Sequence, residues 1–363
     1  MKDEEFDKII TDLRDNKCKE LKLYSREIIG RQFKELASAI KENCSLRVFY
    51  LIRSNIKAKD EEILLFFEAL KINQNIQAVS FQENKIIKLF MREIGEWLKT
   101  NTSIQSLDLA NNSLESKEVI ILSSALEVNK TLQKLNLGFN SFEYEGMVAL
   151  SQTIKINTVL KELYLEYIKM DHKDHRAWIV FSEAISKNSS IEKLFLGKNS
   201  FGSETLAYLC KGLSENRGLR HLDLTYNQVG DAGALYLSNV IHINKSIQTL
   251  NLADNLIGSQ GLACLSRALA GNTCIKSLDL GFNKFDHMGI RFLGEALQVN
   301  GTLTSLSLNS NKVGSEGAKI LDLALEKNSS LESLSICGAG IDDLGFQHIC
   351  HLFLVNRTIR VLD

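Results

Sequence analysis

Ile247-Gln248-Thr249-Leu250-Asn251-Leu252-Ala253-Asp254-Asn255-Leu256-Ile257 follows the pattern L-x-x-L-x-L-x-x-N-x-L, with Ile247, Leu250 and Leu252 as its first three apolar positions. Alternation around Leu250 and Leu252 predicts a short strand that turns those two side chains inward and Asn251 outward. The same frame begins at Cys18, Leu46, Ile76, Ile104, Leu132, Leu160, Ile191, Leu219, Ile247, Ile275, Leu303, Leu331 and Ile359. Successive starts lie 28 residues apart, except for 30 after Leu46 and 31 after Leu160. A fixed period over thirteen frames means one unit repeated along the chain.

Each unit has a second half with helical spacing, as in Leu265/Ala268/Leu269, Leu293/Ala296/Leu297 and Leu321/Ala324/Leu325. Glycines often precede it, in Gly230-x-x-Gly233, Gly258-x-x-Gly261 and Gly314-x-x-Gly317, where the chain turns into the helix. Two asparagine columns punctuate the array. One follows the strand (Asn84, Asn112, Asn140, Asn199, Asn227, Asn255, Asn283, Asn311) and is expected to bond backbone groups left open by the turn. The other lies three residues before each frame, from Asn43 to Asn356, and is expected to take the left-handed conformation that ends a helix. Both columns read as structural.

At this point the units resemble the long, helix-containing leucine-rich repeats of the ribonuclease-inhibitor type. That type also occurs in innate immune receptors, Ran GTPase-activating proteins and some bacterial effectors. The resemblance covers Cys18 to Asp363. It implies an α/β fold, a leucine-rich repeat solenoid or horseshoe with parallel strands on the concave face and helices on the convex face. Strands stack about 4.8 Å apart and helices need about 10 Å, so such an array curves toward its strands. Twelve full units then make a strip roughly 58 Å long.

The expected layout is a capping helix over residues 1–17, twelve repeats over 18–358, and the start of a truncated thirteenth over 359–363. Phe6, Ile9, Ile10 and Leu13 supply the helical spacing of the cap. No polar cap follows Ile359-Arg360-Val361-Leu362-Asp363, so a further C-terminal segment or a partner is expected over that end.

Composition narrows the class of function. Lys plus Arg is 43 and Asp plus Glu 44, a net charge of −1, which leaves no basic footprint for nucleic acid or an anionic membrane. Proline is absent, and no run of about 18 apolar residues exists to span a bilayer. The seven cysteines are scattered, odd in number and without a C-x-x-C pair, as expected of reduced thiols in a cytoplasmic setting.

Catalytic motifs are missing: there is no H-E-x-x-H, no Walker-type loop and no G-x-S-x-G. Ser190-x-x-Lys193 falls at a strand entry of the repeat template and is read as coincidence. Asp171-His172-Lys173-Asp174-His175 clusters possible metal ligands, yet it sits in the longest repeat between strand and helix and reads as a solvated loop. Trp178 beyond it reads as helix packing. The expectation is a chain that is no enzyme and takes no cofactor and no metal.

Information remains in the non-template strand positions, of which three, five, seven and eight of each frame face the concavity. Aromatic residues concentrate there in mid-chain, at Phe139, Tyr164, Tyr167, Phe195 and Tyr226, with Glu162, Glu166, Lys198 and Asp223 around them. Exposed aromatics with a charged rim have the makeup of protein-binding hot spots. Packing on one another across strands is the competing reading. The three-residue expansion after Leu160 and the loss of the ladder asparagine at Ile168 fall in the same region. The expected function is a non-catalytic protein–protein interaction scaffold, monomeric, binding a protein rather than nucleic acid or membrane. The alternatives are stimulation of a small GTPase, and the targeting part of a translocated bacterial effector at work in a host cytosol.

Overall fold

The computed structural model describes residues 3–170 and 174–363. The chain forms two compact units, Met1–Asp171 and His172–Asp363.

In the first unit the strands are β1 (Glu20–Tyr24), β2 (Glu27–Ile29), β3 (Val48–Ile52), β4 (Asn55–Lys57), β5 (Ala78–Ser80), β6 (Ser106–Asp108), β7 (Lys134–Asn136) and β8 (Glu162–Tyr164). The helices are α1 (Asp3–Arg14), α2 (Gly30–Glu42), α3 (Asp60–Ile72), α4 (Lys88–Thr100), α5 (Ser116–Val128) and α6 (Tyr144–Ile156). Strands β1, β3, β5, β6, β7 and β8 pair in that order, all parallel and in register, so that residues at one frame position stack as a column.

The second unit repeats the plan. Its strands are β9 (Lys193–Phe195), β10 (His221–Asp223), β11 (Thr249–Asn251), β12 (Ser277–Asp279), β13 (Ser305–Ser307), β14 (Ser333–Ser335) and β15 (Val361–Leu362). Its helices are α7 (Arg176–Lys187), α8 (Ser203–Glu215), α9 (Gly230–Ile243), α10 (Ser259–Ala270), α11 (His287–Val299), α12 (Gly314–Leu325) and α13 (Asp343–Val355). Neighbouring strands are again parallel, and each helix packs on the next.

The core lies between strands and helices. In the quoted repeat Leu250 and Leu252 enter it from the strand and Leu265, Ala268 and Leu269 from the helix, all buried. Each such side chain stabilises by roughly 2 kcal/mol relative to exposure. The first unit adds a phenylalanine cluster, Phe33, Phe49, Phe66, Phe67, Phe81 and Phe90, with ring centroids 4.6 to 6.3 Å apart. In α1, Phe6, Ile10 and Leu13 are buried, and the helix packs beside α2.

The asparagines after the strand bond as expected. Asn112 Nδ2 donates to Phe81 O of the preceding repeat and to Leu109 O of its own turn, while Asn84 N donates to Asn112 Oδ1. The first two repeats carry Arg26 and Ser54 where most later ones carry this asparagine. There a second, two-stranded parallel sheet forms, with Ile28 opposite Ile56, a pairing that frame periodicity does not foretell.

The asparagines after the helix differ from expectation. Ten of them are C-caps with extended backbone, as at Asn216 with φ −64° and ψ 140°. None of those ten is left-handed. The chain runs straight on toward the next strand, and the buried side chain does the capping. Asn216 Nδ2 donates to Ile185 O and Asn188 O, both at 2.7 Å, and its Oδ1 accepts from Gly218 N at 3.0 Å and Leu219 N at 2.7 Å. The helix-entry glycines also divide. Gly230 and Gly314 are left-handed, at φ +59° and +63°, whereas Gly258 at φ −92° is not.

Candidate functional site

Position eight of each frame sits in the turn that follows the strand, and its backbone is left-handed throughout. Phe139 (φ 59°), Tyr167 (51°), Lys198 (59°), Tyr226 (52°), Asp254 (54°), Phe282 (55°) and Ser310 (53°) all lie there, and only Gly338 uses the residue that does so freely. A side chain in this region costs on the order of 1 kcal/mol, and glycine, asparagine and aspartate bear it best. Local preference therefore argues against Phe and Tyr at this column. Their side chains also gain little from burial, because Phe139, Tyr167, Tyr226 and Phe282 are 42, 44, 56 and 60% exposed.

Five of the nine residues singled out from the sequence, Phe139, Glu162, Tyr164, Glu166 and Tyr167, belong to the first unit, where β7, β8 and the turns after them carry them. Tyr164 Oη donates to Glu162 Oε2 at 3.0 Å, and the Phe139 and Tyr167 rings meet with centroids 5.4 Å apart. Lys134, missed in the sequence, joins them. It stacks on Glu162 in the register, 3.6 Å from the carboxylate, with its ammonium 4.7 Å from the Tyr164 ring centroid. Reading position three as a column would have found it. Lys169 lies 5.8 Å from the Tyr167 ring. Further along the same face, burial pushes the Asp108 carboxyl above its usual range, opposed by the Ala110 N–H and the Ser80 hydroxyl.

The second unit holds Phe195, Lys198, Asp223 and Tyr226. Asp223 is register partner to Phe195, whose ring packs on His221 with centroids 4.9 Å apart. Lys198 reaches over the Tyr226 ring at 5.2 Å. Asp223 Oδ1 accepts from Thr225 N at 2.8 Å and Thr225 Oγ1 at 2.7 Å, which holds the carboxylate to its own turn. Packing and exposure thus coexist: Phe139 and Tyr167 meet each other and Lys198 lies over Tyr226, yet all three rings remain exposed.

The histidine and aspartate segment is partly described. Asp171, His172 and Lys173 lie outside the described residues. Asp174 pairs with Arg176, whose guanidinium holds its carboxyl at about 2, and His175 contacts Thr205 Oγ1 at 2.9 Å and Glu204 at 3.1 Å. Trp178 is buried edge-on against Phe181 and Phe201. Among the described residues no group of three or more His, Cys, Asp or Glu side chains is placed to hold a metal, and no helix is long and apolar enough to cross a membrane.

A family model described as "Leucine Rich repeat" matches residues 128–151, 215–238, 244–266, 271–293 and 299–321. The matched stretches are leucine-rich repeats, and the fold is that of a leucine-rich repeat protein. Its fold is similar to that of the leucine-rich repeat-containing protein LegL7 from Legionella pneumophila, with 18% identity over 84% of this chain and 97% of that one and a TM-score of 0.53. It is also similar to an internalin, InlF, from Listeria monocytogenes, with 16% identity over 98% and 88% of the chains and a TM-score of 0.52. At these identities the likeness is one of fold. No curated protein matches the sequence.

Proposed function

We propose that this leucine-rich repeat protein is a non-catalytic scaffold that binds another protein through its strand face. The supporting observation is the set of aromatic side chains held half-exposed at left-handed backbone positions, where neither local conformation nor core burial favours them. In the first unit the contact residues are Phe139, Glu162, Tyr164, Glu166 and Tyr167; in the second they are Phe195, Lys198, Asp223 and Tyr226. The fold class agrees, since repeat arrays present broad surfaces for macromolecules. Residues 1–17 act on this reading as the cap of the array.

The test is affinity capture with the full chain, comparing wild type with Tyr164→Ala/Glu166→Lys in the first unit and Phe195→Ala/Tyr226→Ala in the second. Loss of the captured protein with unchanged circular dichroism is the expected result. Retention of the same protein by both variants sinks the proposal, and loss accompanied by unfolding removes the site assignment.

A further inference from the structure

From β10 onward the charge on the second unit's strand face is one-sided. From His221 to Gly338, positions three, five, seven and eight hold Asp223, Asp254 and Asp279, with no lysine or arginine. Strands β10, β11 and β12 are parallel and in register, so Tyr226, Asp254 and Phe282 follow one another at position eight of adjacent repeats. The column places a carboxylate between two exposed rings.

Spacing makes this arrangement specific. With strands about 4.8 Å apart, the backbones at Tyr226 and Phe282 lie about 10 Å apart, and a cation held over Asp254 comes about 5 Å from each position. That is inside the ~6 Å reach over which a ring attracts a cation. Tyr226 already collects one, Lys198, at 5.2 Å. Among the described residues the side chains of Asp254 and Phe282 enter no hydrogen bond, ion pair or ring contact, and Phe282 is 60% exposed.

The flanking carboxylates are pre-set. Asp279 Oδ1 accepts from Gly281 N at 2.9 Å, as Asp223 Oδ1 does from Thr225 N, so each is held by its own turn and keeps its second oxygen. A partner engaging them spends little on ordering them.

We infer that this strip, Asp223, Tyr226, Asp254, Asp279 and Phe282, is a docking surface for a lysine- or arginine-rich extended segment of a protein partner. The occupant follows from charge complementarity: three aspartates and no lysine or arginine at these positions from His221 onward, with an aromatic residue on either side of Asp254 to receive a cationic side chain. The inference rests on the scaffold reading above and gives its second-unit part a partner chemistry.

The probe is fluorescein-labelled deca-arginine, titrated against the full chain by anisotropy, with labelled deca-glutamate alongside. Asp254→Asn/Asp279→Asn removes two charges yet keeps an oxygen for the turn, as Asn251 does for Ala253 N. Its Kd for deca-arginine is expected to rise about tenfold, and that of Phe282→Ala about fivefold, the size of a lost cation–π contact. Glu295→Gln/Glu316→Gln, which removes two charges from α11 and α12, is expected to change it less than twofold.

Equal weakening by the helix pair, no effect of Phe282→Ala, or wild-type binding no tighter than to deca-glutamate would each overturn the inference. The capture experiment separates the two claims. Should Asp254→Asn/Asp279→Asn retain a protein that the Tyr164 or Tyr226 variants lose, the basic partner is wrong and the scaffold stands. If every strand-face variant retains it, both fall.

Discussion

Asn216 illustrates how much one side chain does in this array. It is buried, and its amide joins the end of α7, the segment after it and the entry to β10 through four hydrogen bonds. Truncation leaves buried carbonyls and N–H groups without partners, and each such group costs on the order of 1–3 kcal/mol. Asn216→Ala is expected to lower stability by about 3 kcal/mol, read as a fall in the urea midpoint at unchanged slope. A loss below about 1 kcal/mol would mean that water replaces the amide. Cys210 makes a contrasting case, because burial alone pushes its thiol far up and leaves it a packing group.

Among the helices, α13 depends most visibly on charge. At its start Asp342 accepts from Leu344 N, Gly345 N and the Ser315 hydroxyl, and these donors hold its carboxyl below the usual range. Toward its end His351 Nδ1 lies 2.9 Å from Oδ1 of buried Asp322 on α12, which raises the imidazole above its usual value, with Glu326 adding to the effect. His348 Nδ1 approaches the same carboxylate at 3.3 Å. The signs bracket a window. A depressed carboxyl stabilises fully above its unfolded value near 4 and loses that as pH falls; a raised histidine stabilises fully below its unfolded value near 6.5 and loses that as pH rises. Amide exchange in α13, corrected for intrinsic rates, is therefore expected to be slowest between about pH 4 and 6.5 and faster at pH 8. In His351→Gln the alkaline rise should shrink, and an unchanged rise would remove the Asp322 pairing as its cause.

At the scale of the whole chain, each repeat in a unit leans on its neighbours. Stability in such an array is approximately a sum of repeat and nearest-neighbour terms. Damage should therefore stay local within the second unit. Hydrogen exchange of Asn216→Ala is expected to lose protection most in α8 and β10 and least in β13 and β14. Uniform loss across those strands would instead mark the unit as a single cooperative block. The near-balance of 43 basic and 44 acidic residues gives no long-range field, so recognition is left to local patches on the strand face.

Much of this was legible in the residues alone. Leucine spacing, the strand–helix alternation and the ladder asparagines announce a leucine-rich repeat because each unit's neighbours are copies of itself, so packing partners recur at a fixed separation. Phe139, Tyr164, Tyr167 and Tyr226 stood out for the same reason, as departures from a known template. Tertiary structure alone decided the rest. The extended backbone at Asn216, the β2–β4 pairing, Lys134 beside Tyr164 and the histidines around Asp322 depend on dihedral angles or on single residues 26 to 31 positions away in the adjacent repeat. A periodic pattern fixes which columns stack; it does not say what two unlike side chains do when stacking brings them together.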